Sequence, residues 1–252
     1  MFSCYSLYLN WIQKKNQILN IAIYIYKGIT ALDAIGPYEV FSRLPDAHVY
    51  FTGEKRKSYQ TDTGFISLEA EYSTNDVDSA EILVIPGSTV SFIKEMKKNS
   101  VLKWIKKIHE TSRYTTAVCT GSIILAGAGL LDGKKATSHW AASHMLEDYG
   151  AEISSDRYVQ DGKIITSQGV SAGIDMALYV VKDILGEEKA KAFQLILEYF
   201  PDPPLSLLSA DMADDQTLEL AREMLEKTAK DNLGFFDKIF NYGRLKKLSS
   251  GK

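Results

Sequence analysis

Apolar residues in this chain follow two rhythms. Short unbroken runs, Ile21-Ala-Ile-Tyr-Ile-Tyr26, Ile82-Leu-Val-Ile85 and Thr115-Thr-Ala-Val118, are rich in β-branched and aromatic side chains. Such runs read as strands buried on both faces. A further strand is expected at Ala47–Thr52. Between the strands the apolar spacing lengthens to three and four: Val101, Leu102, Ile105 and Ile108 predict a helix over 101–110. Helices are also expected near 33–41, 90–97, 141–149 (capped by Gly150), 171–185, 187–199 and 212–230. Thr61–Ala70, with turn formers at Asp62 and Gly64, reads as a hairpin arm. Tyr158–Gln160 and Ile164–Thr166 read as a second hairpin around Asp161-Gly162. Strands alternating with helices predict an α/β fold, a mostly parallel sheet wound on both faces. Ligands of such sheets bind beyond the carboxyl ends of the strands. The loops at 28–33, 86–88 and around Cys119 should meet there.

The stretch from Thr115 to Ala126 organises the rest. It predicts a buried strand, a sharp turn at Cys119 and the start of a helix, with small Ala117 and Gly121 on either side as in a G-x-S-x-G elbow. A cysteine thrust out there is a candidate nucleophile, whereas a buried cysteine elsewhere packs like a small apolar residue. The helix N-terminus, with the backbone N–H of Thr120, is expected to ease formation of the thiolate.

Composition narrows the classes. The 252 residues suffice for a full core, and 29 basic against 32 acidic residues give a net charge of -3. That balance offers no general pull on nucleic acid. No apolar run approaches the roughly 18 residues of a membrane span. The two cysteines, Cys4 and Cys119, argue against a disulfide framework and fit a reducing, cytoplasmic setting. At the N-terminus Lys14 and Lys15 follow the apolar stretch instead of preceding it, so residues 1–19 read as an extension and not as a signal peptide. Residues 206–252 read as a helical tail, with aromatics from Leu233 to Tyr242 and then Arg244, Lys246 and Lys247. Such a tail could touch a membrane or a partner, but packing on its own domain or a sister subunit is the plainer reading.

Other candidates surround the cysteine. Asp33, in the apolar setting Ala31-Leu-Asp-Ala-Ile35, is a helix cap or a functional carboxylate, or both. Gly87 follows Pro86 at a strand end; its N–H could join that of Thr120 as a two-donor anion hole, or the pair could be a plain tight turn. His139, in Thr137-Ser-His-Trp140, could return to the same sheet edge and pair with Cys119; an ordinary hydrogen-bonded histidine is as good a reading. His48 and His109 read as bystanders. No metal-ligand spacing and no phosphate-binding glycine loop is present in the sequence.

Thr30-Ala-Leu-Asp-Ala-Ile-Gly-Pro-Tyr-Glu-Val40, Ile85-Pro-Gly87, Ala117-Val-Cys-Thr-Gly121, Gly129-Leu-Leu-Asp-Gly133, Ala136-Thr-Ser-His-Trp140 and Gln168-Gly-Val-Ser-Ala-Gly-Ile-Asp175 occur in that order. Over about residues 20–205 the chain resembles the DJ-1/PfpI superfamily. The resemblance implies a flavodoxin-like, doubly wound sheet with the cysteine at a nucleophile elbow, and a homodimer. Protease-like and glyoxalase-like members usually carry Glu after the first strand, and many have His after the cysteine. Asp33 and Thr120, with Pro203-Pro204, resemble the isonitrile (isocyanide) hydratase branch instead. That implies Cys119, Asp33 and Thr120 as catalytic residues, Gly87, His139 and Gly169 on the substrate side, a small-molecule substrate, and no metal or organic cofactor. Cys119 would attack the isonitrile carbon, Asp33 would carry the thiol proton to it, and hydrolysis of the thioimidate would release an N-substituted formamide. Two other readings stand beside this one. One is a non-catalytic binding domain like the sensor half of AraC-type regulators, whose paired helix-turn-helix units have no convincing counterpart after Pro204. The other is a glyoxalase or deglycase acting on 2-oxoaldehydes, which would need His139 in the proton path of the cysteine.

Overall fold

The computed structural model describes residues 18–207 and 209–232. The N-terminal extension with Cys4 and the aromatic cluster after 232 lie outside the described residues. Seven strands form the central sheet: β1 (Leu19–Tyr24), β2 (Ala47–Gly53), β5 (Tyr72–Ser73), β6 (Ile82–Ile85), β7 (Tyr114–Val118), β10 (Tyr158–Asp161) and β11 (Ile164–Ser167). Their order is β10-β11-β7-β6-β1-β2-β5. Only β10 and β11 pair antiparallel, Tyr158 opposite Ser167; all other neighbours are parallel. β3 (Ser58–Gln60) and β4 (Ser67–Glu69) form a separate antiparallel hairpin, so the Thr61–Ala70 stretch supplies its turn and second arm. β8 (Lys135–Ala136) and β9 (Glu152–Ile153) form a short parallel pair.

Helices cover the sheet. α1 (Ala31–Phe41), α5 (Ala172–Leu185) and α6 (Glu187–Ile196) pack on one another, as do α2 (Phe92–Glu95), α3 (Asn99–Thr111) and α4 (Gly121–Gly127). A 3₁₀ turn, Ser143–Tyr149, stands where a helix was expected and ends at left-handed Gly150. The last helix, α7 (Asp215–Asn232), follows another 3₁₀ turn at Ala210–Met212. Among the described residues no helix is long and apolar enough to cross a membrane.

Every residue of β6, β7 and β11 is buried, and Ile21–Tyr24 of β1 are fully so. This explains why β1 and β6 read as continuous apolar runs and not as alternations; β7 and β11 bury threonine and serine as well. Burying one such Ile or Leu contributes about 1.5–3 kcal/mol. A handful of them therefore offsets a strained turn or a poorly partnered polar group at the sheet's carboxyl edge.

Candidate active site

β7 runs straight into α4, and Cys119 occupies the turn with φ +59°. A non-glycine residue in that conformation costs roughly 1–2 kcal/mol. Three hydrogen bonds hold it there. The Cys119 N–H donates to the Ser167 carbonyl at 3.0 Å, and the Cys119 carbonyl accepts the Ser122 and Ser138 hydroxyls, each at 3.0 Å. At about 1 kcal/mol apiece these offset the strain. Neither serine stood out in the sequence, although Ser138 lies inside the Thr137–Trp140 motif.

The two flanking loops close on this turn, as expected. A Cβ on Gly121 would sit 2.0 Å from the Ile85 carbonyl oxygen, and one on Gly87 would sit 2.5 Å from the Thr120 nitrogen. Glycine at both positions lets the β6 loop press against the elbow. The Thr120 hydroxyl fastens the contact: it accepts from the Ser88 N–H at 2.9 Å and donates to the Ser88 carbonyl at 2.8 Å. The first loop joins through Thr30, whose N–H donates to the Gly87 carbonyl at 3.1 Å.

Asp33, in the first turn of α1, is completely buried. Its Oδ2 accepts the Gly87 N–H at 3.1 Å, and its Oδ1 has no hydrogen-bond partner among the described residues. The Gly87 N–H is thus engaged by Asp33, and the expected two-donor anion hole is not formed by it. Burial pushes the Asp33 carboxyl up to about 8, offset in part by the Gly87 N–H and the Cys119 thiol, with Asp62 adding a further upward push. Burial likewise raises the Cys119 thiol well above its ordinary value, and the charge of Asp33 raises it further; the Thr120 N–H acts in the opposite sense. The expectation of an easily formed thiolate is corrected here. α4 is only seven residues long, and its N-terminal dipole is outweighed by desolvation and by the acid beside the sulfur. Burial and the neighbouring carboxyl both work against a free thiolate.

His139 returns to the same sheet edge and lines the same cavity as Cys119. Its Nδ1 accepts the Ala141 N–H at 3.3 Å, it makes no hydrogen bond to Cys119, and burial drives it down to about 4. A neutral ring with Nδ1 already accepting carries its proton on Nε2. Gly169 lies over the sulfur: a Cβ there would be 2.7 Å from Cys119 Sγ and 2.9 Å from His139 Cδ2. Gly169 therefore keeps the ring and the sulfur close without filling the space between them.

A cavity of about 320 Å³ opens onto Cys119 and Thr120. Thr30, Asp62, Thr89, Phe92, Ala142 and Val170 wall it from the domain, and Arg222, Leu225, Glu226 and Ala229 of α7 wall it from the tail. α7 thus packs back on its own domain. This size suits a small organic molecule. Asp62 was read as a turn former; its place in the wall follows from the β3–β4 turn folding over Thr30, which its sequence neighbours do not signal. A second cavity, about 480 Å³, shares His139 with the first and continues past Gly169 to Leu218 and Ala221. Among the described residues no group of three or more His, Cys, Asp or Glu side chains is placed to hold a metal ion.

Comparison with known proteins follows the geometry. Isonitrile hydratase of Pseudomonas putida is 34% identical over 84% of this chain and 92% of its own. The HTH-type transcriptional regulator CdhR of Pseudomonas aeruginosa is 33% identical over 36% of this chain, which spans 28% of that regulator. The crystal structure of a ThiJ/PfpI family protein from Pseudomonas syringae superposes with a TM-score of 0.79 at 28% identity, covering 94% of this chain and 95% of that one. With the DJ-1/PfpI family matching residues 19–183, the chain belongs to that family.

Proposed function

We propose that the chain hydrates isonitriles to N-substituted formamides, with Cys119 as nucleophile and Asp33 as proton carrier. The observation that carries the reading is the buried pair itself. Asp33 is pushed up to about 8, so at neutral pH it is mostly an acid able to give a proton, and it lies against the thiol. An isonitrile carbon must receive both a proton and a nucleophile. The Asp33 proton passes to that carbon, the Cys119 sulfur bonds to it, and the thiol proton returns to Asp33, leaving an S-linked thioimidate. Asp33 then protonates the imidate nitrogen and takes a proton from the attacking water. Collapse breaks the C–S bond, returns the proton to sulfur and frees the formamide. Thr120 supports the step from its backbone N–H, while its hydroxyl keeps the β6 loop in register. The similarity to isonitrile hydratase supports the reaction class. The 2-oxoaldehyde reading would need His139 to exchange a proton with Cys119 through Nε2, since its Nδ1 is engaged by the Ala141 N–H.

Formamide release from an aryl isonitrile tests this directly. Wild type is expected to turn over. Cys119→Ala should lose more than about 10³-fold, and Asp33→Asn about 10²- to 10⁴-fold. Turnover that survives Cys119→Ala ends the proposal.

A further inference from the structure

Asp62 is the one acidic side chain from the domain side in the wall of the Cys119 cavity, and it is 7% exposed. It is held from two sides through a single oxygen. The Thr30 hydroxyl donates to Oδ2 at 2.6 Å and the Thr89 hydroxyl donates to the same atom at 2.9 Å. These bonds tie the β1–α1 loop, the hairpin turn and the β6–α2 loop together, and Oδ2 alone suffices for that. Oδ1 has no hydrogen-bond partner among the described residues. Around it the cavity is mostly apolar, with Phe92, Ala142, Val170, Leu225 and Ala229. The other charged residues of the wall are on α7. Glu226 pairs with Lys230 at 3.5 Å, and Arg222 leans on the Trp140 ring with Glu219 3.9 Å away.

A carboxyl oxygen held in place in a mostly apolar cavity offers an acceptor to a donor on the ligand. We propose that Asp62 is a substrate-recognition residue that selects isonitriles whose N-substituent ends in a hydrogen-bond donor, a protonated amine above all. The reacting end of that ligand rests on the reading above; the recognition of its far end does not.

Binding separates the two claims. In Cys119→Ala protein, calorimetry would compare N-(4-aminobutyl)formamide, its 4-hydroxybutyl analogue and the equally long N-pentylformamide. The amine is expected to bind roughly ten- to hundredfold more tightly than the pentyl compound, with the alcohol between. Adding Asp62→Asn, which keeps an oxygen for both threonines, should shrink the preference to about twofold or less. Should Asp62→Asn fail to fold, Thr89→Val, which removes one of the two anchors, must cut the preference at least threefold. A preference that survives these changes, an equal or stronger binding of the pentyl compound, or no binding of any of the three overturns the proposal. Turnover of the matching isonitriles by wild type reports on the hydratase reading alone. Selective binding without turnover would keep Asp62 and discard that reaction.

Discussion

The cavity has two walls built in different ways. The elbow wall, from β1, β6 and β7 with their following loops, is the edge of the hydrophobic core: Asp33, Thr120 and Cys119 are buried, and backbone meets backbone closely enough to demand Gly87 and Gly121. The tail wall is one face of α7, whose inner face presents Leu225 and Ala229 and whose exposed positions carry charged residues together with Leu220 and Met224. The family match ends at residue 183, before α7 begins. The difference teaches where each property resides. On the proposed reading, reactivity would come from groups desolvated by the core, which shifts their proton affinities, and the shape of the accepted molecule would be set by a helix that stands apart from the sheet.

The sharpest way to break this contrast is to strike the elbow's backbone. Gly121→Ala places a Cβ 2.0 Å from the Ile85 carbonyl oxygen, and neither strand end nor helix start can retreat without unpacking β6 from β7. We expect a loss of roughly 3–5 kcal/mol in unfolding free energy, read from denaturant melts. A variant melting within about 0.5 kcal/mol of wild type would show that the elbow wall is far more pliant than its burial implies.

Asp33 gives the next largest effect, and its sign runs against ordinary intuition for a candidate catalytic acid. In the unfolded chain an aspartate titrates near 3.9, whereas here burial holds it up to about 8. Between those values the folded state keeps a proton that the unfolded state has released. Stability from this group is therefore complete below about pH 4 and is lost as pH rises through about 8. Asp33→Asn removes that loss. The variant should gain on wild type by a few kcal/mol between pH 5 and pH 9 in urea melts, although its turnover collapses. A difference that stays flat across this range would mean that Asp33 does not hold its proton in the fold.

These two tests also mark how far the sequence could be read. The strand runs, the elbow at Cys119, the three converging loops and the antiparallel β10–β11 edge were legible, because fully buried strands leave unbroken apolar runs and sharp turns leave small residues. Asp33 was legible as a carboxyl in an apolar stretch. The state of its proton was not, because desolvation depends on what other segments stack above it. The same limit hid the Gly87 N–H, which Asp33 captures, and His139, whose Nδ1 meets Ala141 two residues on. Asp62 was the least legible. A turn residue in sequence becomes a cavity wall only through Thr30 and Thr89, which lie 32 and 27 residues away.

The tail wall should give the smallest and most selective response. Leu225 is only half-buried and lies on α7, so trimming it leaves the sheet and the elbow untouched. Leu225→Ala is expected to cost at most about 1 kcal/mol in stability, since little apolar area leaves the interior. It widens the cavity that Cys119 opens onto by about three carbons. The ratio of kcat/KM for a bulky aryl isonitrile to that for a small alkyl one should then rise roughly two- to fivefold, because methylene-sized changes in an apolar pocket discriminate only weakly. Both substrates falling together would assign Leu225 to the support of the elbow, and the division between a reactive wall and a selective one would fail at that residue.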